Sequence, residues 1–394
     1  MNYGVIAEFN PFHNGHKFFL DQLKGEGNTV TVCMSESFVQ RGESAICSPY
    51  VRTKMALECG ADLVLSLPLP FATSGAEKFA VGGVSVLGSL GVIDALAFGS
   101  ETGNAESLIK CVDCLNSEEF KKSLENGLTS GDSFPKIRQR VVTELTGEAV
   151  GSVLSSPNDI LAVEYIKAVK QLGFDISFNP IKRKSVDHDS SSVIDNICSA
   201  SYLRKVVKNE KEFKSLMPQE SFDILLNEIS KSKAPGDFEK LNVAMLSKLR
   251  GMSVYDFMNL PDVSEGLENR IYSAVRECTD IAGILEKVKT KRYTYSRIKR
   301  ILLCAFLGIK KTDIQKGAPY IRVLGFNKNG AELLRLAKEK SVLPIVTKSS
   351  DVKNLGEYAK RVYALECFGR DMFSLTLPEP DECGKVMTDK IIVL

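Results

Sequence analysis

Two histidines stand three residues apart near the start of the chain, in the stretch Glu8-Phe9-Asn10-Pro11-Phe12-His13-Asn14-Gly15-His16. On the first turn of a helix this spacing lets His13 and His16 face one ligand. Imidazole N–H groups aimed at a phosphoryl oxygen stabilise the charge that develops when the α-phosphorus of a nucleotide is attacked. Gly15 carries no side chain, so a phosphate or a flat base can approach the backbone there. The spacing therefore predicts phosphate chemistry with His13 and His16 as the catalytic pair.

A strand and a helix are predicted to position this motif. Tyr3–Phe9 is an apolar run typical of a β-strand, and a helix is expected to begin near Lys17. Ligands of open parallel sheets bind beyond the carboxyl ends of the strands, and a helix N-terminus there attracts phosphate. An isolated HxGH is equally compatible with surface histidines in an Asn/Gly-rich turn. The strand–loop–helix setting favours phosphate binding.

The wider pattern predicts an α/β fold in three regions. Residues 1–194 alternate between strands and helices, which implies a parallel sheet covered on both faces. The strands expected there are Tyr3–Phe9, Asn28–Ser35, Asp62–Leu69, Val92–Phe98 and Asp175–Pro180, and helices are expected to start at Ser48-Pro49, at a capping box over Ser74–Glu77 and at Ser156-Pro157. Residues 195–311 show helical periodicity, clearest over Val275–Val288 and Tyr295–Leu307. Residues 312–394 predict a small α/β unit with strand Tyr320–Phe326, helix Asn329–Lys340 and strand Ser341–Val346.

Composition excludes several classes of protein. Of the 394 residues, 44% are hydrophobic and 25% are charged, so disordered and collagen-like chains are excluded. No apolar run approaches the ~18 residues of a membrane span, and no secretory signal is visible, so we expect a cytoplasmic protein with no membrane partner. The net charge of +2 points to no particular partner. Most cysteines sit in apolar contexts, and the lone Cys111-x-x-Cys114 is half a zinc site, so no metal site is predicted.

Two further groups of residues favour a phosphate-rich ligand. Ser199-Ala200-Ser201-Tyr202-Leu203-Arg204 places two hydroxyls at a helix start and an arginine one turn later, which suits β- and γ-phosphates. The tract Lys287–Arg300 interleaves basic residues with Tyr293 and Tyr295, which is typical of RNA contact, although a solvated helix face is the alternative. The residues predicted to contact RNA are Arg41, Lys289, Lys291, Arg292, Arg297 and Arg300.

The combination of HxGH with Ser-x-Ser-x-x-Arg resembles the HIGH-type nucleotidyltransferase superfamily. Longer motifs are similar to those of the bacterial tRNA(Met) cytidine acetate ligase family: Glu8–His16, Phe38-Val39-Gln40-Arg41-Gly42-Glu43, Phe98-Gly99-Ser100-Glu101, Ser155-Ser156-Pro157-Asn158-Asp159 and Lys291-Arg292-Tyr293-Thr294. The resemblance extends over most of the chain. One departure adds a carboxylate, because Ser35-Glu36-Ser37 stands where the family tends to have Ser-Gly-Asn.

The resemblance implies a Rossmann-like, ATP-binding nucleotidyltransferase domain over residues 1–194, a tRNA-contacting helical domain over 195–311 and the small C-terminal unit over 312–394. It implies that ATP and acetate give acetyl-adenylate and pyrophosphate, after which the acetyl group passes to N4 of the wobble cytidine of elongator tRNA(Met). Mg²⁺ is expected with the triphosphate. The ATP-binding residues predicted from the resemblance and from the hydroxyl–arginine element are Ala7, Glu8, Phe9, Asn10, Pro11, Phe12, His13, Asn14, Gly15, His16, Lys17, Phe18, Phe19, Gly99, Asn158, Arg183, Ser199, Ser201 and Arg204.

Simpler interpretations of single residues stay open from the sequence alone. Gly99 could be an ordinary turn glycine, Asn158 a polar residue at a helix start, and Arg183 part of a solvated basic trio. Arg41 could pair with Glu43 instead of holding phosphate or RNA.

Two other classes of function also stay open. One is an adenylyltransferase that acts on a small metabolite, which the basic tract and the long C-terminal extension disfavour. The other is a non-catalytic RNA-binding protein with a nucleotide pocket, which the intact His13, Gly15 and His16 disfavour.

Overall fold

The structure, a computed structural model, describes residues 1–127, 134–183, 196–207, 209–264 and 266–394. Its strands are β1 (Asn2–Ala7), β2 (Thr29–Ser35), β3 (Phe38–Val39), β4 (Glu43–Ser44), β5 (Leu63–Leu67), β6 (Ala95–Ser100), β7 (Ser177–Lys182), β8 (Ile321–Phe326), β9 (Ile345–Val346) and β10 (Ile392–Val393). Its helices are α1 (Asn14–Asp21), α2 (Pro49–Glu58), α3 (Leu69–Ala72), α4 (Ala76–Ser89), α5 (Ala105–Asn116), α6 (Glu118–Gly127), α7 (Phe134–Thr146), α8 (Glu148–Gly151), α9 (Pro157–Leu172), α10 (Ala200–Val206), α11 (Glu210–Ser215), α12 (Gln219–Ser230), α13 (Asn242–Arg250), α14 (Val254–Met258), α15 (Leu267–Glu277), α16 (Ile281–Val288), α17 (Tyr295–Leu307), α18 (Lys328–Lys340), α19 (Glu357–Ser374) and α20 (Lys385–Thr388).

A mostly parallel sheet organises these elements, as the alternating pattern predicts. Its strand order is β10-β8-β5-β2-β1-β6-β7, with β9 alongside β8. The chain builds outward from β1 to β2 and β5, then returns to place β6 and β7 on the other side of β1. The boundary between β1 and β6 is therefore the topological switch point, where ligands of such sheets bind outside the carboxyl ends of the strands. The HxGH motif follows β1 directly at this point.

The strands that follow residue 311 join the same sheet. β8 pairs with β5 in antiparallel orientation, with Leu63 opposite Phe326, and pairs with β9 and β10 in parallel orientation. The predicted strand–helix–strand unit is present as β8, α18 and β9, but its last strand is limited to Ile345–Val346. Pro344 precedes that strand and has no N–H for a ladder hydrogen bond, which explains the shorter strand. The domain boundaries stay a prediction.

Local signals locate some helix ends and miss others. Ser48 caps α2 by accepting a hydrogen bond from Val51 N at 3.3 Å, and α17 occupies its predicted residues. The capping box predicted at Ser74 is wrong, because Ser74 Oγ donates to the Pro70 carbonyl at 2.6 Å and Gly75 is the N-cap. The single helix predicted over 275–288 is also wrong: α15 ends and α16 restarts where Asp280 accepts a hydrogen bond from Gly283 N.

Seven of the ten cysteines are buried. Cys111 and Cys114 are both buried on α5, in the apolar cluster that α4 and α9 also build. All ten cysteines are free thiols. Within the described part of the chain, we find no helix with the length and apolar character needed to cross a bilayer.

Candidate active site

The two motif histidines form the first turn of α1. Nδ1 of His13 accepts a hydrogen bond from Gly15 N at 3.0 Å, and Nδ1 of His16 accepts one from His13 N at 3.3 Å. The two rings stack with their centroids 3.7 Å apart. A ring nitrogen that accepts a hydrogen bond carries no proton, so each imidazole is held in the tautomer with its proton on Nε2. Both side chains are therefore set as Nε2–H donors, which is the role that the phosphate chemistry requires.

This capping arrangement moves the helix start and explains the glycine. α1 begins at Asn14 and not near Lys17, because His13 is its N-cap and His16 closes a reciprocal capping box. A Cβ on Gly15 would lie 2.9 Å from Cε1 and 3.1 Å from Nδ1 of His13. The position of the His13 ring over the backbone is therefore reason enough for glycine at position 15, independently of any ligand.

The backbone at the end of β1 is held by a buried arginine. Arg52 is fully buried, and its Nη1 donates to the carbonyls of Glu8 at 2.6 Å and Ser35 at 2.9 Å. Phe9, the residue after Glu8, has a φ of 45°, a left-handed value that bulky residues rarely adopt. Its ring lies 4.8 Å from that of His16, so the residue with the strained backbone also packs against the HxGH motif.

Asn10 carries a buried amide donor that none of the described residues satisfies. Its Oδ1 accepts a hydrogen bond from Ile46 N at 2.6 Å. Its buried Nδ2 has no hydrogen-bond partner among the described residues, although Asn10 lines the cavity described next. A buried amide donor without a partner is costly, so its position beside the histidines fits a phosphate oxygen.

A cavity of about 370 Å³ opens at the switch point. It is lined by most of the predicted ATP-binding residues, namely Ala7, Glu8, Phe9, Asn10, His13, Gly15, His16, Phe18, Phe19, Gly99, Asn158, Arg183, Ser199, Ser201 and Arg204. Four predicted residues lie outside its lining: Pro11, Phe12, Asn14 and Lys17. Phe12 is buried in the core, Asn14 donates to the Asn196 and Ser215 carbonyls, and Lys17 pairs with Asp21. Their assignment to ATP binding stays a prediction.

The hydroxyl–arginine element forms a second wall of the cavity. Ser199 is the N-cap of α10 and accepts a hydrogen bond from Tyr202 N at 3.1 Å. Arg204 Nη1 donates to the Asn10 carbonyl at 2.9 Å, which joins this wall to the HxGH loop. This hydrogen bond joins residues 194 positions apart in the sequence. The HxGH loop and the hydroxyl–arginine element are therefore close enough to bind the same triphosphate, as predicted.

Gly99, Asn158 and Arg183 come together as the third wall. Gly99 lies inside β6 and not in a turn, and a Cβ there would stand 3.3 Å from Cγ of Arg183. Arg183 Nη1 donates to Asn158 Oδ1 at 3.3 Å, and Asn158 Nδ2 donates to Glu101. Burial lowers the pKa of Arg183, against the opposing effect of Glu101. The three predicted residues line one cavity, and Glu101, which is not among its lining residues, accepts a hydrogen bond from the Asn158 amide.

Asp159 fixes the loop that carries this wall. It is fully buried and accepts hydrogen bonds from Ser100 Oγ, from Glu101 N at 3.1 Å and from Thr102 N at 3.1 Å. In the sequence, Asp159 is the last residue of the Ser155–Asp159 motif and an acidic residue in the first turn of a helix. The second feature indicates a partner for the helix dipole rather than a loop anchor.

Replacing Asp159 tests this anchor. We expect Asp159→Ala to lower the free energy of unfolding by about 2–4 kcal/mol, because buried N–H groups lose their acceptor. Urea unfolding measures the change. Asp113→Ala is the matched control, since Asp113 is 60% exposed and pairs with Lys170 at the surface, so its loss should be below ~1 kcal/mol. Equal losses in the two variants would contradict the anchor.

The predicted RNA-contacting residues fall into different environments. Arg41 lines the cavity, while Arg297 donates to the Asp262 carbonyl at 2.7 and 3.1 Å and Arg300 lies 3.5 Å from the Asp262 carboxylate. Lys289 Nζ sits 4.2 Å from the Tyr295 ring centroid. Lys291 and Arg292 are exposed between α16 and α17.

Tyr293 does not offer an exposed ring for RNA contact, so this part of the interpretation of the basic tract is wrong. Its side chain is only 8% exposed and belongs to the apolar core of the helical region. Tyr295 is partly exposed, but its hydroxyl donates to Glu286 and Lys289 covers one face of its ring. Tyr293 packs into the core like the apolar residues of the neighbouring helices. Composition alone does not distinguish such a buried tyrosine from one exposed at the surface.

A short hairpin connects the cavity to α17. Glu43 on β4 accepts a hydrogen bond from Lys299 Nζ at 2.8 Å and lies 3.3 Å from Arg204 Nη2. Lys299 and Arg204 outweigh partial burial and lower the pKa of Glu43. Gly42 has a φ of 74°, and a Cβ there would lie 2.8 Å from Arg300 N. The helix that carries part of the basic tract is thus packed directly against the cavity wall.

The family departure at Glu36 does not reach the cavity lining. Glu36 is buried and accepts hydrogen bonds from Ser66 Oγ and Arg322 Nη2, while Arg322 Nε donates to Glu366 at 3.1 Å. Glu36, Arg322 and Glu366 form a buried triad that joins β2 to β8 and α19. His188, the third histidine, lies outside the described residues.

The fold and this site define a HIGH nucleotidyltransferase: the HIGH Nucleotidyl Transferase family model matches residues 1–385. The tRNA(Met) cytidine acetate ligase of Acetivibrio thermocellus is 36% identical over 99% of both chains, and that of a Thermoanaerobacter species is 38% identical over 97% of this chain and 96% of its own. Crystal structures of Thermotoga maritima TmcAL, one apo and one bound with alpha-thio ATP, superpose with TM-scores of 0.93 and 0.91 at 32% identity over 100% of this chain and 99% of theirs. The chain belongs to the tRNA(Met) cytidine acetate ligase family.

Proposed function

We propose that this protein is an ATP-dependent ligase that activates acetate as acetyl-adenylate and acetylates N4 of the wobble cytidine of elongator tRNA(Met). The observation that carries the proposal is the pair of imidazoles held as Nε2–H donors at the β1/β6 switch point. Its support is family membership and a relative of known structure that is bound with alpha-thio ATP. Location in the cytoplasm, together with tRNA, stays a prediction.

The first step is an in-line displacement at the α-phosphorus. An acetate oxygen attacks, the bond from the α-phosphorus to the bridging oxygen breaks, and pyrophosphate leaves with the electron pair. His13 and His16 donate to the α-phosphoryl oxygens, whose charge grows in the transition state. Ser199, Ser201 and Arg204 hold the β- and γ-phosphates, and the third wall holds the nucleoside.

The cavity fits a nucleotide that brings its own metal. Among the described residues, no group of three or more His, Cys, Asp or Glu side chains could hold a metal ion. Mg²⁺ usually keeps several waters and is bound largely through substrate phosphates, which suits a described lining with few carboxylates. Mg²⁺ would neutralise charge on the phosphates when bound, with phosphate and water oxygens as its main ligands.

Pyrophosphate exchange distinguishes this proposal from the alternatives. We expect exchange of labelled pyrophosphate into ATP only when acetate is present, followed by acetyl transfer to bulk tRNA. Exchange that is independent of acetate would favour an adenylyltransferase acting on a metabolite. The absence of any exchange, with tRNA binding retained, would favour a non-catalytic RNA-binding protein.

The exposed basic residues between α16 and α17 give a test of the tRNA surface. Lys291→Ala/Arg292→Ala should weaken the salt dependence of tRNA binding. Each lost phosphate contact flattens the slope of log affinity against log salt concentration by ~0.7, so the double variant should differ by roughly 1.4. Pyrophosphate exchange should be unchanged, because neither residue lines the cavity. Filter binding across a salt series measures the slope. Lys110→Ala/Lys121→Ala, on α5 and α6, is the charge-matched control, and an equal change in that control would exclude a specific surface.

A further inference from the structure

The transfer step requires a proton acceptor. When the N4 amine of cytidine attacks the acyl carbon of acetyl-adenylate, the product amide has one N–H fewer, so a proton must leave N4. That amine is delocalised into the pyrimidine ring and is a weak nucleophile, so removal of its proton in the transition state accelerates attack. AMP leaves as a phosphate monoester and needs no proton.

The catalytic histidines are not suited to this task. Nδ1 of His13 and Nδ1 of His16 each already accept a backbone N–H, and Nε2 then carries the proton. A nitrogen that donates to phosphate cannot also accept the N4 proton. The arrangement that makes the pair effective in the first step therefore leaves the second step to another group.

Glu8 has the geometry of that group. It follows β1 directly, and it is the one carboxylate among the described residues that line the cavity. Its Oε1 accepts a hydrogen bond from Gln40 N at 2.7 Å, which fixes the carboxyl plane. No hydrogen bond to its Oε2 is found among the described residues, and the side chain lines the cavity. Arg52 holds the Glu8 carbonyl at 2.6 Å and prevents the backbone from turning away.

We propose that Glu8 binds the amino group of the target cytosine and accepts its N4 proton during acetyl transfer. The inference rests on the proposed function. The N4–acyl bond forms, the bond from the acyl carbon to the phosphate oxygen of AMP breaks, and the proton passes from N4 to Oε2 of Glu8. The same contact selects the base, since a carboxylate accepts a hydrogen bond from the cytosine amine but opposes the O4 acceptor of uracil.

The surroundings of Glu8 tune it as a base. Burial raises its pKa above the ordinary value, while the Gln40 N–H and the charges of Arg204, Arg41 and Arg52 lower it. Tyr165 on α9 also faces Glu8, which adds to burial in raising the pKa of the tyrosine. A carboxylate with a raised pKa removes a proton more effectively at neutral pH than an exposed one.

Separating the two steps tests the proposal. Glu8→Gln should reduce single-turnover transfer from preformed acetyl-adenylate to tRNA by about 10²–10⁴-fold, the usual contribution of a general base. Because Glu8 also lines the ATP cavity, acetate-dependent pyrophosphate exchange should fall as well, but by much less than the transfer rate. The wild-type transfer rate should rise with pH through one ionisation, the variant rate should be flat in that range, and Glu8→Asp should recover part of the rate.

A control variant and the two separate rates distinguish a base role of Glu8 from a positioning role and from failure of the proposed function. Glu77→Gln, the same chemical change at an exposed residue at the start of α4, should alter neither step. Equal losses of exchange and transfer in Glu8→Gln, at an unchanged melting temperature, would overturn the base role and leave a positioning role. Unchanged transfer would overturn it outright. If wild type itself shows no acetate-dependent exchange, the proposed function fails, whatever Glu8 does.

Discussion

His16→Ala is expected to reduce acetate-dependent pyrophosphate exchange by about 10²–10³-fold, the usual effect of losing one donor to a developing charge. The variant removes an Nε2–H donor and also the Nδ1 acceptor that receives His13 N. The ring of His13 loses its stacking partner at 3.7 Å, so the remaining donor is also less well oriented. The loss should appear in kcat, since the donor acts on charge that develops in the transition state.

A conservative variant separates the donor from the fold. In His16→Gln the side-chain amide reaches nearly as far as Nε2 and still donates, so part of the exchange activity should return. Retention of tRNA on a filter and an unchanged melting temperature show that both variants are folded. Full exchange activity in His16→Ala would remove His16 from the catalytic role.

The sequence predicts a parallel sheet and a ligand site after its first strand because both follow from local rules. The apolar run 3–9 and the HxGH spacing each depend on neighbouring residues, and parallel topology then places the motif at a switch point. The hydroxyl–arginine element is predicted for the same reason, since a serine N-cap and an arginine one turn later are local features.

The hydrogen bonds that hold the site in place join residues that are distant in sequence, so local patterns do not predict them. Arg52 looks like an ordinary helix residue, yet it binds carbonyls 44 and 17 positions earlier in the chain. Asp159 and Glu101 meet across 58 positions. Tyr293 was misassigned because an aromatic beside basic residues has the same composition whether its ring is exposed or packed. Tertiary contact, and not local propensity, determines each of these.

The second large effect is expected at the buried triad of Glu36, Arg322 and Glu366. Arg322→Met removes the cation from between carboxylates whose side chains are 8% and 2% exposed. Removing one partner of a buried ion pair costs about 3–5 kcal/mol, because the other charge stays buried without compensation. We expect the free energy of unfolding at pH 7.5, from urea titration, to fall by that amount. The deficit should shrink toward pH 5, because burial raises the pKa of Glu366 and its carboxyl is protonated there.

Replacing the whole triad is the matched control for this loss. Exchange of Glu36, Arg322 and Glu366 together for apolar residues of similar volume should recover most of the lost stability, since no buried charge then remains. If the triple variant is as unstable as Arg322→Met, lost packing and not uncompensated charge is the cause.

Glu366 sets the direction of the pH dependence in the wild-type protein. Burial raises its pKa from 4.5 to about 7, against the attraction of Arg322 and with the repulsion of Glu36. Since the folded pKa lies above the unfolded one, the contribution of this group to stability is fully present below pH 4.5 and is lost as the pH rises through 7. A shift of this size corresponds to about 3 kcal/mol.

Glu366→Gln keeps the shape of the side chain but does not titrate. Its urea midpoint should therefore lack the decline that we expect of wild type between pH 5 and 8. A wild-type midpoint that rises over this range, or an identical decline in Glu366→Gln, would assign the pH dependence to other groups.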